Sequence, residues 1–181
     1  MEESKKELTI SAGKANLFSL AFIPLIVAVL IAFIAVWGDE LKDEITVEQL
    51  IASSFWAFPI IVGGIIVHEL IHGITWAFFT KHGFRSIRFG VIWKALTPYC
   101  HSKEALKAWQ YRLGAVMPAI VLGFIPIIIA FLNGNPGIMA FGLLFTLAAS
   151  GDFIILWLLR NTAKDTRVED HPSKPGCYVY S

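Results

Sequence analysis

Charge is scarce in this chain: Asp, Glu, Lys and Arg make up 16% of its 181 residues, where a soluble domain carries about a quarter. The charges nearly cancel, to a net +1, and without a basic surplus nucleic acid is not an expected partner. Cysteine is scarcer still. Cys100 and Cys177 are too few and too far apart for a disulfide framework. No polar stretch is long enough to fold separately, so residues 1–181 are expected to form one domain. A cleavable signal is also missing. The first sixteen residues mix Glu2, Glu3 and Glu7 with Lys5, Lys6 and Lys14, and the apolar run behind them has no small-residue cleavage site.

Apolar residues fill the space that charge leaves. The chain is 56% hydrophobic, with 14 Phe and a mean hydropathy of +0.64. At about 1.5 Å per helical residue, four runs are long enough to cross a bilayer. They cover Leu17 to Trp37, Ile51 to Thr80, Leu113 to Leu132 and Gly137 to Leu159. The expectation is an all-α membrane protein of four transmembrane helices, with Pro24 able to kink the first. Gly38 to Glu44 reads as an acidic loop, and Asn133-Gly134-Asn135-Pro136 as a tight turn. Lys81, Arg85, Arg88, Lys94, Lys103, Lys107 and Arg112 collect between the second and third runs, and Lys164, Arg167 and Lys174 follow the fourth. The positive-inside rule then puts the basic loop and both termini in the cytoplasm, in a multi-pass protein of the cell membrane. Cys100 and Cys177 would be reduced there. Residues 160–181, with Pro172, Pro175 and Gly176, read as a flexible tail.

Between the second and third runs, Ile87, Phe89, Val91 and Trp93 alternate with Ser86 and Arg88. That pattern predicts a short cytoplasmic strand, or a hairpin turning at Gly90. Its free edge could align an extended peptide, or the segment could be an interfacial loop anchored by Trp93. Ser102 reads as a helix cap, with an interfacial helix over Lys103 to Tyr111.

The chemistry sits in the second run, at His68-Glu69-Leu70-Ile71-His72. Residues four apart share a helix face, so the two imidazoles stand side by side as a tetrahedral zinc requires. Glu69, one step round, could take a proton from an activated water. Ionisable groups inside a span are costly and face a protein interior or a wet cavity. Asp152 is the acid of the fourth run. It stands about eight residues from the inner end of its span, as His72 does, or roughly 12 Å. Small neighbours, Ala148, Ala149 and Gly64, would let the helices close. Asp152 is therefore the expected third ligand. Three protein ligands leave a fourth position open, as catalytic zinc sites do; iron also suits such a set. His101 and Tyr99 are candidates for contacting substrate or developing charge, with His101 kept out of the metal set. His82 and His171 read as surface residues.

The motif His68-Glu69-Leu70-Ile71-His72-Gly73, the segment Thr97-Pro98-Tyr99-Cys100-His101 and the late Ser150-Gly151-Asp152 resemble the zincin peptidase family of small multi-pass membrane proteins. The layout is similar to that of the site-2-protease group of intramembrane metalloproteases. The resemblance implies His68, His72 and Asp152 as zinc ligands and Glu69 as the catalytic acid/base. It implies a peptidase cutting membrane-anchored substrates at the cytoplasmic edge of the bilayer. The alternative is a catalytically silent protein binding metal for structure, sensing or transport, a role that does not require Glu69.

Overall fold

The computed structural model describes residues 5–44, 46–93, 97–172 and 174–180; Lys94 of the basic loop and Ser173 of the tail lie outside them. The chain runs as β1 (Lys5–Thr9), α1 (Ala12–Leu20), α2 (Ile23–Glu44), α3 (Val47–Ala77), β2 (Ile87–Ile92), β3 (Thr97–Ser102), β4 (Leu106–Lys107) and α4 (Ala108–Pro118). A π-helical segment (Ala119–Phe124) leads to α5 (Ile125–Asn133), then α6 (Pro136–Ala148), α7 (Ser150–Leu159), β5 (Arg167–Asp170) and β6 (Gly176–Tyr180). Three helical stretches are long and apolar enough to cross a membrane: Gly13–Lys42, Ser54–Ala77 and Ala108–Asn133. The pair α6 and α7, bent by 43° at Ala149, makes a fourth if counted as one span.

The helices pack through stripes that follow their own period. On α2, Ile26, Val29, Phe33 and Trp37 recur at helical spacing and meet Ala130, Met139 and Leu143 of α5 and α6. Trp37 Nε1 donates to the Phe131 carbonyl at 3.1 Å. The turn between α5 and α6 forms where its residues require it. Gly134 takes φ 72° to end α5, and the Asn135 side chain accepts from the Ile138 N–H at 2.9 Å to start α6.

The fold is mostly helical with two antiparallel sheets, of which the expected short hairpin is one and the second corrects the all-α expectation. The first is the hairpin β2–β3, with Ile87 opposite Ser102 and Ile92 opposite Thr97. Strand β2 passes straight through Gly90, which stands opposite Tyr99, so the chain does not turn there. The second sheet has the order β1-β6-β5-β4. It overturns the flexible tail, because β5 and β6 pair with each other and β6 pairs with β1 from the other end of the chain. The cause is alternation: Val168, Cys177 and Val179 point inward and are buried, so free strands would leave them wet. They join Trp76, Leu106, Tyr111 and Leu159 in one core beneath the sheet.

Two local readings are corrected as well. The acidic segment 38–44 is helical, a continuation of α2. No interfacial helix covers Lys103 to Tyr111: β4 comes first, and from Ala108 the helix enters the third span directly. Ser102 caps no helix: its hydroxyl accepts the Glu104 N–H at 3.3 Å and donates to the Glu104 carbonyl at 2.8 Å, within the turn that leads to β4. Glu104 instead takes the Lys81 N–H at 3.0 Å and the Ser86 hydroxyl, closing the turn after α3.

Candidate metal centre

His68 and His72 lie one turn apart on α3, 9% and 5% exposed. Asp152 reaches them from the first turn of α7. The bend at Ala149 starts that turn, with the Asp152 and Phe153 N–H groups both on the Ala149 carbonyl at 3.0 and 3.1 Å. Each Asp152 oxygen faces a different imidazole: Oδ2 is 3.2 Å from His68 Nε2, and Oδ1 is 3.2 Å from His72 Nε2. A ligand atom from each of the three residues falls within 4.8 Å of the others. A tetrahedron with bonds of about 2.0–2.1 Å has edges of about 3.3 Å, so the donor spacing suits zinc.

Small residues permit this approach. A Cβ on Gly64 would lie 2.2 Å from the Phe145 ring of α6, and Ala149 is fully buried. The His72 Nδ1–H donates to the Gly114 carbonyl at 2.8 Å. In the neutral ring Nε2 then carries its lone pair toward Asp152. At 3.2 Å that nitrogen and the carboxylate oxygen need a proton or a metal cation between them, and two imidazoles with one carboxylate are a donor set that fits a metal. His68 Nδ1 is buried and has no hydrogen-bond partner among the described residues.

A cavity of about 280 Å³ opens onto this cluster. Glu69 lines it from α3, while Tyr99 and His101 line it from β3 with their rings 4.7 Å apart. Glu69 also lines a second, apolar recess with Phe89 and Tyr99, so it stands between the site and the hairpin. The hairpin lies close because Gly73 leaves room: a Cβ there would come 2.4 Å from the Phe89 ring.

The sequence reading missed the opposite wall, which Asp170, His171, Lys174, Pro175 and Gly176 build. His171 is corrected from surface to interior, at 6% exposure. Its Nδ1 accepts the Lys174 N–H at 2.8 Å. Its Nε2 lies 3.5 Å from Glu7 Oε1, which also receives Lys174 Nζ at 2.8 Å. His82 is exposed, as expected. Asp170 accepts from the Tyr111 hydroxyl and, at 2.9 Å, from the Ser102 N–H. Burial pushes its carboxyl up, against the pull of His101 and those two bonds. Burial likewise raises the thiols of Cys100 and Cys177, the latter to about 12 with Asp170 adding to it. The alternation of Cys177, Tyr178, Val179 and Tyr180 was the available signal for this wall.

A family profile described as "Putative zincin peptidase" matches residues 61–167, more than half of the chain. The matched stretch contains His68, Glu69, His72, Tyr99, His101 and Asp152. No match was found among the curated proteins or among the solved structures. By the match over residues 61–167, the chain belongs to the putative zincin peptidase family.

Proposed function

We propose that this protein is a zinc-dependent peptidase embedded in the membrane, cutting membrane-anchored substrates near the cytoplasmic face. The observation that carries the reading is the meeting of His68, His72 and Asp152 in the cavity that Glu69 lines. His68 Nε2, His72 Nε2 and the Asp152 carboxylate would hold the zinc. Zinc supplies Lewis acidity there, polarising a carbonyl and making water acidic enough to lose a proton near neutral pH. Glu69 takes that proton as general base and returns it to the leaving nitrogen as general acid. Tyr99 and His101 line the same cavity and would be the side chains to meet charge developing on the carbonyl oxygen. Among the described residues β2 pairs with β3 alone, so its other edge is free to receive an extended substrate segment.

The second sheet supports four crossings. It joins β1, which precedes the first span, to β4, between the second and third, and to β5 and β6 after the last. Strands of one sheet share one side of a bilayer, which favours an even number of crossings before β5, with α6–α7 as one. Lys107, Arg167 and Lys174 lie on that side, and their charge supports a cytoplasmic location for it by the positive-inside rule.

The test uses full-length protein in liposomes with a membrane-anchored reporter peptide. Glu69→Gln is expected to lower cleavage by at least about a hundredfold while one zinc per chain is retained. Undiminished cleavage in that variant removes the mechanism. Zinc binding with no cleavage of any anchored substrate by the wild type favours the catalytically silent alternative.

A further inference from the structure

His72 is held by more than its own helix. Its imidazole stacks on Trp76, with centroids 5.2 Å apart and planes 17° apart. Trp76 stacks in turn on Tyr111, at 5.2 Å and 24°. Both neighbours are also fixed along α4. Trp76 Nε1 donates to the Tyr111 carbonyl at 3.2 Å, and His72 Nδ1 donates to the Gly114 carbonyl at 2.8 Å, one turn further on. Gly114 makes this possible, since a Cβ there would stand 1.9 Å from Trp76 Nε1. The stack ends at the Tyr111 hydroxyl, which donates to Asp170 Oδ1. Asp170 Oδ2 takes the Ser102 N–H at 2.9 Å, pinning β5 to β3.

From this chain of contacts we infer that Tyr111 and Asp170 are positioning residues for the metal centre, acting on His72 through Trp76. The inference rests on His72 being a metal ligand. A metal-bound imidazole works best when its plane and its far nitrogen are fixed from outside. Here the far nitrogen is fixed by Gly114, while the plane is fixed by a stack whose last ring cannot slide while Asp170 holds its hydroxyl. Both residues line the cavity, but neither is one of the three whose ligand atoms meet at the candidate metal site. Their effect is on the angle at which His72 Nε2 meets the site. Strand β5 thereby bears on His72 of α3, although the two are far apart in sequence.

Tyr111→Phe keeps the ring and the stack and removes the hydroxyl alone. Asp170→Asn keeps the shape but leaves one acceptor oxygen for two donors. Full-length protein in detergent would be loaded with zinc and, separately, with cobalt, whose visible bands report ligand geometry. Each variant is expected to weaken zinc affinity about tenfold or more and to shift the cobalt bands. The double variant should lose little beyond the larger single loss, because both changes cut the same link. Lys107→Ala, which removes an exposed pair with Asp165 at the same sheet edge, should change neither reading. Unchanged affinity and bands in folded Tyr111→Phe overturn the inference, as does a lowered melting temperature with the cobalt bands intact. Wild-type protein that binds no metal overturns the metal-site reading instead, so the two failures are told apart.

Discussion

Asp152 answers two histidines with one carboxylate, and the site stands or falls with that side chain. Its oxygens each lie 3.2 Å from a different Nε2, so replacing it leaves two imidazoles with no acidic partner. Asp152→Ala is expected to weaken zinc affinity by at least about a hundredfold, more than the change of an outer contact typically costs. Equilibrium dialysis against a zinc chelator measures it, and unchanged affinity would move the third ligand elsewhere. Gly64 matters as much by what it lacks. Gly64→Ala sets a Cβ 2.2 Å from the Phe145 ring, an overpacking that costs about 1–3 kcal/mol and pushes α6 and α7 away from the histidines. Adding Phe145→Leu should restore much of the melting temperature and of the zinc affinity. A double variant as weak as Gly64→Ala alone would show that the close approach is not what sets the site.

Elements contribute where single residues cannot. The wall facing Glu69 exists because β5 and β6 are ordered, and Cys177 reports on that order. It is fully buried, and its thiol is pushed up to about 12. At neutral pH its alkylation should run about a thousandfold slower than that of an ordinary thiol near 8.5. Fast labelling in the folded protein would mean that the strands leave the sheet. The same sheet carries a pH response at its N-terminal edge. The Lys174 ammonium, followed by Thr9, holds the Glu7 carboxyl below its ordinary value of 4.5. Because the folded-state value is the depressed one, the stabilisation is present above that ordinary value and fades as pH falls through the lowered one. The protection of β1 amides, taken relative to the intrinsic exchange rate at each pH, is therefore expected to fall as pH drops below 4.5, and Lys174→Ala should flatten that change.

At the scale of the whole molecule, β1 and β6 from opposite ends of the chain share one sheet, which on the proposed four-crossing reading puts both on one face of the membrane. Glu7 and Lys174 are 167 positions apart in sequence and 2.8 Å apart in space. With an impermeant thiol reagent on oriented cells, Asn135→Cys is expected to label from outside, and Lys164→Cys only after the membrane is opened. Labelling of both positions from one side would break the four-crossing topology. The native cysteines do not confuse the assay, since both are buried.

What the sequence determined alone was whatever repeats within a few residues. Helical period sets His68 and His72 on one face, Gly134 and Asn135 are turn formers by their own stereochemistry, and apolar length marks the spans. Asp152 was legible too, because a lone acid in a span needs a partner and its depth could be counted along the helix. Tertiary structure decided the rest. Strands as short as β1 and β6 carry almost no local signal, and their pairing depends on an edge contributed from the far end of the chain. The wall of the cavity that holds Asp170 and His171 therefore left only the brief alternation of Cys177 to Tyr180 in the sequence, which marks a strand but not its partners. The stack from Tyr111 to His72 was equally hidden, since ring contacts between helices follow from how close two backbones come, and Gly114 sets that distance only once α3 and α4 have met.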